Sequence, residues 1–96
     1  MTKLVLNLYG LVGSFAENKD IAEKIRVSEI FPALDKGEKI IIDFDGVESA
    51  TQSFIHALIS DIIRKKGSAS LDSIRFKNCN SNIRKIIQIV SEYMQY

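Results

Sequence analysis

The sequence predicts a small α/β domain built on one largely parallel sheet, and three observations lead to this fold class. Three consecutive isoleucines, residues 40–42, lie between Gly37 and Gly46, which is typical of a buried strand. Residues 51–66 and 81–90 carry apolar side chains at helical spacing. Strand-like segments alternate with these helices along the chain. The order β(β)αβαβα predicts a single domain over residues 1–96, an α/β sandwich with three or four mostly parallel or mixed strands and about three helices.

The N-terminal segment predicts a strand followed by a turn. From Lys3 to Tyr9 the leucines alternate onto one face, which indicates a strand. Gly10 and Gly13 flank Leu11 and Val12, so a turn and a short second strand are expected there.

An interrupted helix is predicted next. Asn18 is a suitable N-cap for a helix that begins at Lys19. Pro32 cannot continue a regular helix, so we expect a break between residues 27 and 31 and a last helical turn that ends near Leu34.

The strand Ile40–Phe44 is expected at the centre of the sheet, buried on both faces, between the strands Lys3–Tyr9 and Ser73–Asn78. The following helix is predicted from about Thr51 to Lys66, with Ser49 or Thr51 as its cap. Asn80 or Ser81 would cap the last helix. The apolar stripes of these two helices are expected in the core: Phe54, Ile55, Leu58, Ile59, Ile62, Ile63, Ile83, Ile86, Ile87, Val90 and Met94.

Composition narrows the functional classes. Hydrophobic residues make up 46% and charged residues 26% of the chain, as in an ordinary globular protein. A net charge of +1 lacks the basic excess typical of nucleic-acid binders. One cysteine cannot form an internal disulfide, which fits a reducing compartment, and no apolar run approaches the roughly 18 residues that span a bilayer. We expect a cytoplasmic domain that binds no nucleic acid, membrane, metal or cofactor.

Asp43 and Asp45 stand two residues apart at the end of the central strand, so both carboxylates can face the same side. A strand that ends in D-x-D-G is similar to the start of haloacid-dehalogenase-type phosphatases, in which the first aspartate is the nucleophile and the second the acid/base. Here Val47 stands where that motif has threonine, and the chain is too short for the rest of that fold. We therefore interpret the pair as a strand-end acidic turn at Gly46 and predict no catalytic residue.

A polar surface of small side chains is predicted in the loop and helix after that turn. Hydroxyls and an amide stand at the helix N-terminus, where an anion or phosphate is stabilised. Small, mostly uncharged side chains continue the same helical face and are easily desolvated by a docking protein. The alternative, that these are only capping and solvent-exposed residues, has equal weight. The predicted surface consists of Ser49, Thr51, Gln52, Ser53, His56, Ala57 and Ser60.

The segment GEKIIIDFDGVESATQSFIHALIS, followed by a strand and a closing helix, resembles the STAS-like domain of unknown function found in bacteria and some phages. The shared pattern is an apolar strand, D-F-x-G-V, a short polar stretch and a Q-x-F helix start. Residues 41–58 match best, whereas the N-terminal third matches mainly in the order of its elements.

More distantly, this strand, loop and helix are similar to STAS domains, which include the anti-sigma-factor antagonists. The family's Asp-Ser-Ser/Thr-Gly loop carries a serine that a partner kinase with a histidine-kinase-like ATPase fold phosphorylates. On that motif Thr51 takes the aspartate position, Gln52 the phosphoacceptor serine, Ser53 the second hydroxyl and Phe54 the glycine. Gln52 cannot be phosphorylated, so the candidate phosphosites are Ser49, Thr51 and Ser53.

The resemblance implies a non-enzymatic regulatory module that docks a protein partner, such as a histidine-kinase-like ATPase, through residues 47–60. Two alternatives stay open at this point. One is a minimal phosphoryl-transfer protein that uses Asp43 and Asp45 with Mg²⁺. The other is a sensor of a nucleotide or phospho-ligand at the helix N-terminus, residues 49–53.

Overall fold

A three-stranded parallel sheet lies at the centre of the computed structural model, which describes residues 3–93 except for the side chains of Ser68, Ala69 and Tyr93. The strands are β1 (Lys3–Asn7), β2 (Phe15–Ala16), β3 (Lys39–Asp43), β4 (Ser49–Ala50) and β5 (Ile74–Lys77). The central strand β3 pairs in parallel with β1 on one side and β5 on the other, while β2 and β4 form a separate parallel pair. The predicted fold class and the central position of this strand are thereby confirmed.

The helices differ from the prediction mainly near the N-terminus. They are α1 (Leu8–Val12), α2 (Lys19–Ile25), α3 (Phe31–Asp35), α4 (Gln52–Lys66) and α5 (Ser81–Tyr93), with a 3₁₀ segment at Ser68–Ser73. The predicted strand Lys3–Tyr9 ends at Asn7, because Leu8–Val12 form α1, and the turn expected at Leu11 and Val12 is therefore a short helix. Gly13 ends that helix at a φ of +77° and donates its N–H to the Tyr9 carbonyl, and the second strand begins only at Phe15.

The irregularity predicted from Pro32 lies between α2 and α3. The Asn18 side chain accepts hydrogen bonds from backbone N–H groups and caps α2, as expected. Residues Arg26–Ile30 then form a π-helical turn, in which the Phe31 N–H donates to the Arg26 carbonyl. This wider turn accommodates Pro32, which lacks an N–H and whose ring would clash with the carbonyl four residues earlier in a regular helix.

Helices α4 and α5 supply much of the core beside the sheet. Phe54, Leu58 and Ile62 of α4 are fully buried, and Val90 of α5 is 1% exposed. Ile86 is half-buried and packs against the same core. The remaining position predicted for this stripe, residue 94, lies outside the described residues. Helix α4 also packs along α2, so it is held between the sheet and a second helix.

The sheet is covered on one face only, so the expectation that the central strand is buried on both faces is wrong. Ile40 and Ile42 are fully buried under the helices, but Ile41, which points the other way, is only half-buried. Val5 beside it on β1 is 53% exposed. The three isoleucines thus reflect the β-preference of branched side chains as much as burial. We call the uncovered side the open face, formed by Lys3, Val5, Asn7, Lys39, Ile41, Asp43, Arg75 and Lys77.

Candidate functional site

The loop before α4 is held by hydrogen bonds on both sides. Thr51 is the N-cap, since its hydroxyl oxygen accepts a hydrogen bond of 3.1 Å from the Phe54 N–H. Its own N–H donates to the Ala16 carbonyl at 2.9 Å. Ser49 precedes it in β4, is exposed, and pairs with Phe15 of β2. Of the two candidate caps, Thr51 is therefore the one used, and its hydroxyl is engaged.

The structure brings four of the predicted surface residues together. Gln52, Ser53, His56 and Ala57 line a shallow groove of about 470 Å³ at the start of α4, which we call the α4 groove. Gln52 and Ser53 are exposed, whereas His56 and Ala57 are half-buried. The fifth lining residue is Lys19, the first residue of α2. The sequence pattern gives no sign of Lys19, because this residue lies 33 positions before Gln52 and only the packing of α2 along α4 brings the two together.

Ser60 does not belong to this groove. Its expected position on an exposed face is wrong, because Ser60 is only 4% exposed. The helical wheel places Ser60 correctly relative to Ser53 and His56, but it cannot show that α2 packs along this side of α4. The exposed part of the predicted surface therefore consists of Ser49 in β4 and of residues in the first turns of α4.

A buried arginine lies directly behind the groove. Arg26, at the start of the π-helical turn, is 7% exposed, and its guanidinium donates a hydrogen bond to the Ala57 carbonyl. The same guanidinium forms an ion pair with Asp61, with Nη2 and Oδ2 3.1 Å apart, and lies over the Phe31 ring with 6.0 Å between Cζ and the ring centroid. These contacts fix α4 against the helical segment that carries Lys19. The sequence pattern gives no sign that Arg26 is buried, because arginine near a helix end is ordinarily a surface residue.

The acidic turn after β3 has a structural arrangement. One oxygen of Asp43 accepts hydrogen bonds from the Asp45 N–H at 2.9 Å and from the Asn78 side-chain amide at 2.8 Å. The Asn78 hydrogen bond, then the Asp45 N–H, and the nearby Lys77 charge lower the pKa of Asp43 below its ordinary value. This geometry agrees with the interpretation as a strand-end turn. Within residues 3–93, His, Cys, Asp and Glu form no group of three that could hold a metal ion.

Gly46 closes the same turn against α1. Its φ is +90°, and a Cβ at this position would lie 2.8 Å from the Tyr9 ring. Glycine is required here both for the backbone conformation and for the close approach of the ring. The Val47 N–H donates to the Phe44 carbonyl at 2.8 Å and completes the connection toward the α4 groove.

In the described part of the chain, no helix is both long and apolar enough to cross a membrane.

Comparisons with known proteins gave one match, which is to a family model. Neither the curated proteins nor the solved structures contain a significant match to this chain. The family model described as a STAS-like domain of unknown function matches residues 21–84, which is more than half of the chain and includes β3, the acidic turn, α4 and β5. The chain therefore belongs to the family of STAS-like domains of unknown function.

Proposed function

We propose that this protein is a non-enzymatic regulatory module that docks a protein partner at the α4 groove. Membership in a STAS-like family supports a regulatory or interaction role in coarse terms. The observation that carries the proposal is the α4 groove, because Lys19 lines it together with Gln52, Ser53, His56 and Ala57, four residues of the surface predicted from the sequence. Its side chains are small or flexible, so a partner can approach the backbone of α4 closely.

The groove is preorganised for binding. Thr51 caps α4, Asn18 caps α2, and the buried Arg26 holds the Ala57 carbonyl, so the backbone around the groove is fixed before a partner arrives. Fewer groups must then be ordered on binding, which reduces the free-energy cost of association. The N-terminus of α4, whose first turn carries no acidic residue, and Lys19 both contribute positive charge to the groove, which suits carboxylates or carbonyl groups of a partner.

The partner that the STAS resemblance implies is an ATPase of the histidine-kinase-like fold. In this chain the position of the phosphoacceptor serine is taken by Gln52, which is exposed in the groove. Ser53 is the neighbouring exposed hydroxyl, whereas the Thr51 hydroxyl is already bonded to the α4 backbone. If a partner kinase modifies this loop, Ser53 is the residue we expect it to reach, and Lys19 lines the same groove as a counter-charge.

Two ligand titrations separate this proposal from its alternatives. A phosphoryl-transfer protein would bind millimolar Mg²⁺ at Asp43 and Asp45, and its melting temperature would rise, because a ligand selective for the folded state stabilises it. A nucleotide sensor would show the same rise with ATP or ADP at the α4 groove. We expect no rise with Mg²⁺ alone, since two hydrogen bonds already occupy one oxygen of Asp43, and none with nucleotide.

Site-specific photo-crosslinking in the native host tests the docking proposal. A benzophenone amino acid replaces Ser53 in one variant and Asn82 in a matched control, since Asn82 is the exposed second residue of α5 as Ser53 is of α4. We expect a protein adduct at position 53 that is absent at position 82, with an ATPase as the captured partner. Equal capture at both positions, or capture at position 82 alone, would contradict docking at the α4 groove.

A further inference from the structure

The open face is a second surface, on the opposite side of the sheet from α4 and α5. The parallel register places Lys3 beside Lys39, and in the next row it places Val5, Ile41 and Arg75 side by side. Neighbouring strands lie about 4.8 Å apart, so the two lysines carry adjacent like charges. Like charges at neighbouring positions of a sheet are unfavourable. A ligand of opposite charge would relieve this repulsion.

Cations outnumber carboxylates on this surface, although the whole chain has a net charge of only +1. The carboxylates are Asp43, which pairs in register with Lys77, and Asp72, which lines a groove together with Lys39 and Arg75. Within the described residues, no basic side chain of the open face forms an ion pair. The four exposed basic side chains are Lys3, Lys39, Arg75 and Lys77.

Aliphatic groups occupy the middle of the open face. Val5 is 53% exposed, and Ile41 beside it is half-buried. A groove of about 540 Å³ is lined by residues of β3 and β5, among them Lys39, Ile41 and Arg75. Apolar surface between cations is the complement of a segment that presents aliphatic side chains flanked by carboxylates on one face.

We propose that the open face binds an acidic amphipathic segment of a partner protein. Its aliphatic side chains would pack over Val5 and Ile41, and its carboxylates would pair with Lys39 and Arg75. A second copy of this chain, docked through the same face, would bring cations against cations. Single-stranded nucleic acid binds to sheets chiefly by stacking bases on aromatic side chains, and the open face carries none.

The test is a titration of the ¹⁵N-labelled protein with a synthetic helical peptide whose leucine stripe is flanked by glutamates, so that leucines and carboxylates can reach the same face of the sheet. A matched peptide with glutamine in place of every glutamate reports the apolar contribution alone. We expect amide shifts in β1, β3 and β5 with the acidic peptide only, weakened when salt screens the charges. Charge reversal by Lys39→Glu with Arg75→Glu should weaken binding at least about tenfold. The control is Arg84→Glu with Lys85→Glu, which changes the net charge by the same amount at exposed positions of α5 and should leave peptide binding unchanged.

Several outcomes would overturn the proposal. Equal binding of the two peptides would show that charge plays no part, and shifts confined to the first turns of α4 would place the contact at the α4 groove instead. Binding of duplex DNA or phosphatidylserine vesicles to this face, without binding of the acidic peptide, would assign it to another class of partner. If the double variant fails to fold, the salt dependence and the peptide pair, both measured on the wild-type protein, decide the result.

Discussion

The ion pair between Arg26 and Asp61 is asymmetric, and its two halves should respond differently to substitution. The Arg26 side chain is 9% exposed, whereas the Asp61 side chain is 26% exposed. Water can solvate the carboxylate after the guanidinium is removed, but it cannot reach the guanidinium after the carboxylate is removed. We therefore expect Asp61→Ala to destabilise the protein more than Arg26→Met.

The contacts of each side chain give the magnitudes. Arg26→Met loses a charge-assisted hydrogen bond to the Ala57 carbonyl, worth about 1.5–3 kcal/mol. It also removes a buried Nε without a hydrogen-bond partner in the described structure, which returns about 1–3 kcal/mol, so the net cost is at most about 2 kcal/mol. Asp61→Ala leaves the buried guanidinium with the Ala57 carbonyl and with Glu23, whose carboxylate is 3.9 Å away. These contacts lower the usual penalty for an unpaired buried charge to about 2–3 kcal/mol.

Urea denaturation followed by circular dichroism measures both variants. Arg64→Met is the control, because Arg64 also pairs with Asp61 at 3.0 Å but is 62% exposed and should contribute less than about 0.5 kcal/mol. In a thermal melt, each kcal/mol corresponds to about 4–8 °C for a domain of this size. The reasoning is refuted if Arg26→Met costs as much as Asp61→Ala, or more.

Other substitutions test the core and the acidic turn. Leu58→Ala should cost about 2–5 kcal/mol in the same urea assay, because Leu58 is fully buried, and a cost below about 1 kcal/mol would contradict its place in the core. Asn78→Gly allows the same backbone conformation, with a φ of +58°, and removes the side-chain amide that donates to Asp43. The pKa of Asp43, measured by ¹³C NMR, should then rise toward its ordinary value, and an unchanged pKa would show that the Asn78 hydrogen bond is not the cause of the lowered pKa. The pKa of Asp43 is lowered in the folded state, so its contribution to stability is present above the ordinary carboxyl pKa and is lost as the pH falls through the folded-state pKa. The wild type should therefore lose more stability in acid than the Asn78→Gly variant does. Gly46→Ala should lower the free energy of unfolding by about 1–2 kcal/mol because of the positive φ alone, and it should also displace the Tyr9 ring. An unchanged free energy of unfolding would show that this turn is not constrained.

Local patterns were sufficient to predict most of the fold. The isoleucine run of β3 and the apolar periodicity of α4 reflect interactions between residues close in sequence, and the structure confirms both elements. The irregular turn before Pro32 and the caps at Asn18 and Thr51 follow from backbone chemistry in the same way. These features depend on neighbours within a few positions, so a single sequence contains enough information for them.

Features that depend on long-range packing were not predicted. Ser60 and Arg26 are buried only because α2 packs along α4, and no periodicity within either helix shows which partner covers it. The half-buried Ile41 shows the same limit for strands, since an unbroken apolar run does not reveal whether one or two layers of helices cover the sheet. Lys19 joins the α4 groove through the same helix pairing.

The most direct test of the docking proposal is the affinity of the partner captured at position 53 for two matched variants of the purified protein. Ser53→Arg places a bulky charge in the α4 groove, and Asn82→Arg makes the same change at the corresponding exposed position of α5. Both positions lie away from the core, so circular dichroism should show both variants folded. We predict a dissociation constant at least about tenfold higher for Ser53→Arg and unchanged for Asn82→Arg. An unchanged affinity for a folded Ser53→Arg variant would contradict docking at the α4 groove.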